Sequence, residues 1–192
     1  MMIPMTDGLR NGATATPDSQ EDWVGEVVGY LQSRGLAATC DGGWLLRRLL
    51  EVSHENGRMS VTRIAQLLHM SRRTLGRRTM RAGIPHPRQV LAFGRVLRTT
   101  RTLRETGWTM DRAARATGWP DPFGYSNTIA RLTGMRPTEA RTRDLTVLAE
   151  GWLQAELAEG RVSLQEPEPP PCPTCGRELR VGPARSFSKS SP

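Results

Sequence analysis

Residues 71–82 contain five arginines and no acidic residue. The planar guanidinium group of arginine can donate to O6 and N7 of guanine at once, and it also pairs well with phosphate oxygens. Arg73 and Arg77 are four residues apart, so on a helix both would project from the same face. The segment is therefore a candidate helix for reading DNA in the major groove.

The residues before this segment predict a second helix that would hold it in place. Apolar residues there recur at the spacing of a helix buried on one side, and they are Val61, Ile64, Ala65, Leu67 and Leu68. His69 and Met70 would form a turn, and Ser71 is a good N-cap. Leu75 lies seven residues after Leu68 and is expected to face inward. Two short helices joined by a tight turn, the second basic and outward, are typical of a helix-turn-helix.

The same pattern returns roughly 50 residues later. Small and apolar residues predict a helix from Thr109 to Ala116, a turn at 117–121 and a second candidate reading helix from Pro122 to Leu132. Between the two units, apolar residues at spacings of three and four predict one amphipathic connecting helix from Pro87 to Thr106. The expected fold is all-α: two helix-turn-helix units joined by a long helix, with flanking amphipathic helices and disordered termini.

This arrangement resembles the DNA-binding domain of the AraC/XylS family of bacterial transcription regulators over about residues 43–143. The residues that carry the resemblance are Ile64, Ala65, Met70, Ser71, Thr74, Leu75, Gly83, Arg95, Leu97, Leu103, Gly118, Trp119, Gly134, Pro137 and Arg141. The sequence departs from the family where Thr79 and Ile129 replace a large apolar or aromatic residue. It departs again where Asn127 replaces a common arginine or lysine.

The resemblance implies a set of DNA contacts. The family's base-contacting positions fall on Arg73, Gly76 and Arg77 in the first unit, and on Pro122, Phe123, Gly124, Ser126 and Asn127 in the second. The second set has few hydrogen-bond donors, which favours backbone anchoring or contact with thymine methyl groups over a strict base code. Arg72, Arg78 and Arg81 are expected to meet phosphates, which fix position without reading sequence.

The charge distribution points to a polyanionic partner. The chain of 192 residues has a formal net charge of +8, and residues 60–105 hold eleven arginines against the single acid Glu105. Such a concentrated basic region favours phosphate contacts and counterion release. The expected partner is double-stranded DNA, with RNA polymerase as a further candidate. No leucine and aromatic stripe accompanies the arginines, so a membrane surface is disfavoured.

Length and local patterns suggest where the protein works. Only about 42 residues precede the DNA-binding region, and they lack the alternating pattern of a β-rich ligand-binding domain. No export signal or membrane span is evident, and the three cysteines are an odd number without a disulfide framework. We expect a cytoplasmic protein that resembles the stand-alone members of the family.

The flanking segments complete the predicted organisation. Residues 1–18 and 161–192 are polar or proline-rich and are expected to be disordered. Residues 19–42 should hold an amphipathic helix, opened by a capping box at Ser19 and Asp22 and followed by a turn at 41–43. That helix would pack on the domain, form a dimer or contact another protein. A helix from Trp44 to Glu55 should follow the turn. One helix from about Pro137 to Glu159 should run from the end of the DNA-binding region into the helical extension at 144–160.

Metal and catalytic sites are not predicted. Cys172 and Cys175 form one CxxC pair, whereas a structural zinc site needs four ligands and only Cys40 is left over. His54, His69 and His86 lack ligand spacing. Two other classes of function stay open: an AraC-like interaction protein that acts mainly through protein contacts, and an enzyme such as a DNA-repair methyl acceptor. The sequence contains no paired carboxylates, nucleophile–base set or glycine-rich phosphate loop, which disfavours the enzyme. We therefore expect no cofactor.

Overall fold

The computed structural model describes residues 22–55 and 59–164, and these residues form an all-α fold. The helices are α1 (Trp23–Ser33), α2 (Cys40–Glu55), α3 (Val61–Leu67), α4 (Arg72–Arg81), α5 (Pro87–Thr106), α6 (Met110–Ala116), α7 (Pro122–Thr133), α8 (Pro137–Ala140) and α9 (Leu145–Ala158). The predicted fold class is confirmed. The predictions for residues 1–18, Ser19, Cys172, Cys175 and the tail from 165 fall outside the described residues.

The long helix α5 lies at the centre of the molecule, with the bounds that the sequence predicted. Its buried face packs against α2, where Gly94 approaches Ser53 so closely that a Cβ at Gly94 would collide with the serine side chain. On another side, Phe93 stacks on Trp152 of α9, with ring centroids 4.3 Å apart and planes 9° from parallel. Helix α5 therefore joins the amino-terminal and carboxy-terminal helices into one core.

Helices α1 and α9 pack on each other at the side of this core. The apolar stripe of α1 is buried within the chain, and the Tyr30 hydroxyl donates to a carboxylate oxygen of Glu150 at 2.7 Å. Arg34 donates to the other oxygen of Glu150 at 3.2 Å. Burial and the hydrogen bond to the carboxylate raise the pKa of Tyr30 to about 12. Packing on the domain, one of the three roles considered for α1, therefore accounts for its apolar face.

The amino-terminal boundaries differ from the prediction. Asp22 is itself the N-cap of α1 and accepts from the Gly25 amide at 2.9 Å, so Asp22 is not three residues into the helix as predicted. Residues 41–43 form the first turn of α2 and not a loop, because the Thr39 hydroxyl accepts from the Gly42 amide at 3.0 Å and starts the helix at Cys40.

The carboxy-terminal helix predicted from Pro137 to Glu159 is two helices. Helix α8 ends at Ala140, and α9 begins at Leu145 after its N-cap Asp144, whose carboxylate accepts from the Leu145 amide at 2.9 Å. The predicted apolar stripe of the second part is confirmed, since Leu145, Leu148, Ala149, Trp152 and Leu153 are all buried.

Candidate nucleic-acid interface

In two pairs of helices, α3–α4 and α6–α7, the connection begins with the same backbone turn. In the first pair the chain turns at His69, whose φ of 52° lies in the left-handed region, and the Met70 amide donates to the Ala65 carbonyl at 2.9 Å. In the second pair it turns at Gly118, with a φ of 90°, and Trp119 donates to Ala114 at 3.0 Å. Equivalent residues are 49 apart in both cases, so the repeat seen in the sequence is also a repeat of backbone geometry.

The second helix of each pair is capped and buried in a matching way. The Ser71 hydroxyl accepts from the Thr74 amide at 3.0 Å, and the Asp121 carboxylate accepts from the Gly124 amide at 2.7 Å. The second turn is one residue longer, so equivalent residues on α4 and α7 are 50 apart. The inward residues agree with this offset: Leu75 and Thr79 on α4 are buried like Tyr125 and Ile129 on α7. Arg73 therefore corresponds to Phe123, and Arg77 to Asn127.

The outward face of α4 is a surface of exposed arginines. Four of its five arginines form no ion pair with any other residue in the described part of the chain, and all four are exposed: Arg72, Arg73, Arg77 and Arg81. The fifth, Arg78, donates to both carboxylate oxygens of Asp41, at 3.1 and 3.0 Å. The predicted phosphate ligand Arg78 is thus held by α2, whereas the other four arginines lie open to a partner.

Gly76 lies at the flank of this surface. A Cβ at this position would meet no atom within 4 Å, so the glycine borders open space. Together with Met80, whose side chain is 76% exposed, it lines a groove whose other wall is formed by residues 160–163. The predicted base-contacting residues of α4 are therefore near one another, but Gly76 faces the groove more than the centre of the arginine surface.

The outward face of α7 has a different chemistry. Phe123 is 75% exposed and Asn127 is exposed, at the positions that Arg73 and Arg77 occupy on α4. The Ser126 hydroxyl donates to the sulfur of Met110, at 3.5 Å. Within α7 the one charged side chain is Arg131, in the last turn. The exposed face of α7 is therefore nearly neutral and partly apolar.

Buried hydroxyl groups tie the second pair to the central helix. The Thr99 hydroxyl of α5 lies 2.7 Å from the Thr117 hydroxyl and accepts from the indole N–H of Trp119 at 2.8 Å. Nearby, the hydroxyls of Thr100 and Tyr125 are 2.9 Å apart, and burial raises the pKa of Tyr125 to about 12. These bonds fix the position of α6–α7 on α5. Sequence reasoning missed this network, since threonines inside an amphipathic pattern give no signal of their partners.

Not all the arginines between residues 60 and 105 face solvent. Arg95 lies over the ring of Trp119, 5.1 Å from its centroid, and Arg101 pairs with Glu105 and lies 5.9 Å from the ring of Trp23. Cation–π contacts of this kind stabilise the fold instead of binding a ligand. The count of arginines in the sequence therefore overstates the charge that can meet a phosphate backbone.

Other kinds of site find no support in the described ranges. Residues 22–55 and 59–164 contain no group of three or more histidine, cysteine, aspartate or glutamate side chains arranged to hold a metal ion. Their helices are also too short or too polar to cross a membrane. Cys40 is exposed at the start of α2.

Comparison with known proteins gives the class of this region. Residues 64–143 match the family model described as "Helix-turn-helix domain". The match confirms the resemblance predicted from the sequence, in that residues 64–143 are similar to a helix-turn-helix domain of the AraC type. Such domains are DNA-binding domains of transcription regulators.

Part of the chain is also similar to a solved structure. This is the crystal structure of a DNA-binding transcriptional dual regulator from Escherichia coli K-12, at 23% identity and a TM-score of 0.45. The alignment covers 50% of this chain and 88% of that chain. No curated protein matches this sequence.

Proposed function

We propose that this protein regulates transcription by binding a specific sequence of double-stranded DNA, with α4 in one major groove and α7 in the next. The observation that carries the proposal is the outward face of α4, where Arg72, Arg73, Arg77 and Arg81 are exposed and form no ion pair with a described residue. Guanidinium groups that lie close together without acidic partners repel one another, and a bound polyanion removes that repulsion.

The arginines of α4 would divide into two roles. Arg73 and Arg77 project from the middle of the outward face, where their forked donors suit the O6 and N7 atoms of guanine. Arg72 and Arg81 lie towards the two ends of the helix, where phosphate contacts would set its position in the groove. Specificity in the first half of the site would therefore come from two residues, and most of the salt dependence from the others.

Helix α7 would be the weaker reader. Phe123 suits the C5 methyl group of thymine, and Asn127 suits the N6 and N7 atoms of adenine. Since the exposed face of α7 has little charge, this half of the site would add less phosphate binding than α4. The uneven chemistry of the two faces predicts an uneven contribution to affinity.

The test is a titration of labelled random-sequence duplex DNA over a range of salt concentrations, followed by selection of bound sequences. If six phosphates are neutralised, the slope of log affinity against log salt should be about −5. The double variant R73Q/R77Q should bind more weakly and lose the selected motif. The matched control is R34Q/R47Q, which removes the same charge outside the two helix pairs and should bind like the parent. A flat salt response would reject the proposal.

A second candidate function is an interaction protein that acts mainly through protein contacts, RNA polymerase being one candidate partner. The neutral face of α7 supports it, because exposed Phe123 and Met110 resemble the apolar centre of a protein interface more than a phosphate-binding surface. In this case R73Q/R77Q would leave activity in a transcription assay unchanged, whereas F123A would abolish it without altering DNA affinity.

A further inference from the structure

The second helix pair is attached to α5 through polar groups that are buried in the core. The Thr99 hydroxyl lies 2.7 Å from that of Thr117 and accepts from the indole N–H of Trp119, and both partners belong to the turn between α6 and α7. The next residue of α5, Thr100, bonds to Tyr125 of α7 at 2.9 Å. These five residues form a hydroxyl network in which one threonine holds the turn and the next holds the reading helix.

The hydroxyl groups that meet at the turn satisfy one another. Thr99 and Thr117 each have one hydroxyl proton, so one of them donates to the other. The acceptor of that bond then donates to the carbonyl four residues back in the chain, that of Arg95 or Ala113. Since these side chains and Trp119 are buried, loss of one hydroxyl leaves another buried group without a partner. The attachment is therefore directional and resists rotation of α6–α7 on α5.

The first helix pair is attached in a different way. At the offsets of 49 and 50 residues between the two pairs, the residues that α6–α7 contributes to the network correspond to Leu68, Met70 and Leu75. These side chains are apolar and pack on the core, and apolar packing has no preferred direction. The ion pair of Arg78 with Asp41 is largely exposed, so water replaces it at little cost. The pair α3–α4 can therefore change its orientation more easily than α6–α7.

The orientation of each pair matters because α5 alone does not span two grooves. The first pair leads into α5 at Pro87, and the network holds the second pair at Thr99, about 18 Å further along the helix axis. Successive major grooves on one face of a duplex are about 34 Å apart. The directions in which α4 and α7 project from the core must therefore supply the rest of the distance between the two reading helices.

We propose that the hydroxyl network sets the preferred spacing between the two halves of the DNA site, and that α3–α4 is the pair that adjusts to other spacings. Thr99 is the positioning residue, because it bonds to both side chains of the turn. The role in spacing rests on the proposed function, whereas the fixed orientation of α6–α7 on α5 does not.

The first experiment measures that orientation by NMR without DNA, on the full chain. Residual dipolar couplings of backbone amides report the direction of α7 relative to α5. T99V removes the hydroxyl and keeps the shape of the side chain, so we expect the couplings of α7 to shrink and the Trp119 indole signal to shift. T99S should restore both, and T102V, the same change one turn along α5, should match the parent. W119F replaces T99V in the comparison if T99V does not fold. Unchanged α7 couplings in the variant would overturn the proposal.

The second experiment compares duplexes in which the two halves of the selected site are moved together or apart by one base pair. In T99V, affinity for the selected spacing should fall about threefold to tenfold, the worth of one hydrogen bond, and the preference for that spacing should nearly vanish. T99S and T102V should keep the parental preference. Equal losses at all three spacings would mean that the hydroxyl only stabilises the fold, and they would overturn the role in spacing.

The parent bound to an altered spacing shows which pair adjusts. Amide signals of α3–α4 should then move more than those of α6–α7, relative to the complex with the selected site, and the opposite order would overturn this part of the proposal. If the parent binds no duplex, the proposed function fails and the role in spacing fails with it. The couplings of α7 still decide whether the network fixes the orientation of the second pair.

Discussion

Arg78 of α4 and Asp41 of α2 are 37 residues apart in the chain and form a bidentate contact, with one guanidinium nitrogen 3.1 and 3.0 Å from the two carboxylate oxygens. The contact joins the first turn of α2 to the last turn of the helix that carries the arginine surface. It places a negative charge beside a residue expected to meet a phosphate. Asp41 therefore lowers the positive potential on one side of α4 while helping to set the orientation of that helix.

Replacing Asp41 with asparagine should strengthen DNA binding. The substitution frees Arg78 for a phosphate and removes one negative charge from the surface, so affinity in low salt should rise about twofold to fivefold and the salt slope should steepen by about one. The pair is largely exposed, so the free energy of unfolding should change by less than about 1 kcal/mol. The measurement is a salt titration of duplex binding. The control is E105Q, which removes the same charge from an ion pair on α5. If D41N bound DNA more weakly than the parent, the orientation of α4 would matter more than its charge.

Replacing Gly151 with alanine should destabilise the fold. A Cβ there would lie 2.6 Å from the carbonyl oxygen of Thr133, a backbone atom at the end of α7 that cannot rotate away. Forcing α7 and α9 apart should cost about 1–3 kcal/mol in urea denaturation. Gly29 on α1 is the matched control, because a Cβ there meets nothing within 4 Å and alanine favours the helix by up to about 1 kcal/mol. Equal stability changes in G151A and G29A would contradict this packing.

The free energy of unfolding should fall in alkaline solution because Tyr30 and Tyr125 lose their phenolic protons. Their pKa values are raised from 10 to about 12 in the folded protein, by burial first, so folding favours the protonated phenol. The stabilisation is complete below pH 10 and is lost as pH rises through about 12. For the fully buried Tyr125, the loss between those values should approach roughly 1.4 kcal/mol per pH unit.

The variant Y125F separates this effect from general alkaline damage. It removes the bond to Thr100, whose hydroxyl keeps its bond to the Val96 carbonyl, so the cost at neutral pH should be about 1 kcal/mol. Above pH 10 its free energy of unfolding should decline less steeply than that of the parent. Parallel declines for both proteins would show that Tyr125 does not couple folding to pH.

Local signals in the sequence were sufficient for most helices. The spacing of apolar residues and the cap Ser71 predicted α3 to α7, and the bounds of α5 agree with the structure at both ends. Glycines misled the prediction at the start of α2. They usually mark a turn, but a Cβ at Gly42 would lie 3.2 Å from Cα of Ala37, so here a small residue permits close approach of the helix to the preceding chain.

The contacts around the candidate site could not be predicted from the sequence and are visible only in the folded chain. The pairing of Arg78 with Asp41 and the groove between α4 and residues 160–163 join segments that are distant in sequence, and no local pattern encodes either. The break between α8 and α9 was also missed, because residues 141–144 contain no glycine or proline to mark the end of a helix. The base and phosphate contacts assigned to α4 and α7 stay predictions.

The two reading helices should contribute unequally to sequence recognition. Replacing Arg77 with alanine should remove a base contact worth roughly 1–3 kcal/mol and relax the preference at one or two adjacent base pairs. Replacing Arg81 should weaken binding to all sequences alike and reduce the salt slope by about one. Replacing Asn127, which corresponds to Arg77 on α7, should alter the selected motif less than R77A, since the face around it is nearly neutral and Phe123 remains. Binding-site selection on the three variants and the parent gives the comparison. Should N127A erase the motif while R77A preserves it, α7 would be the main reader and the exposed arginines of α4 would bind the backbone alone.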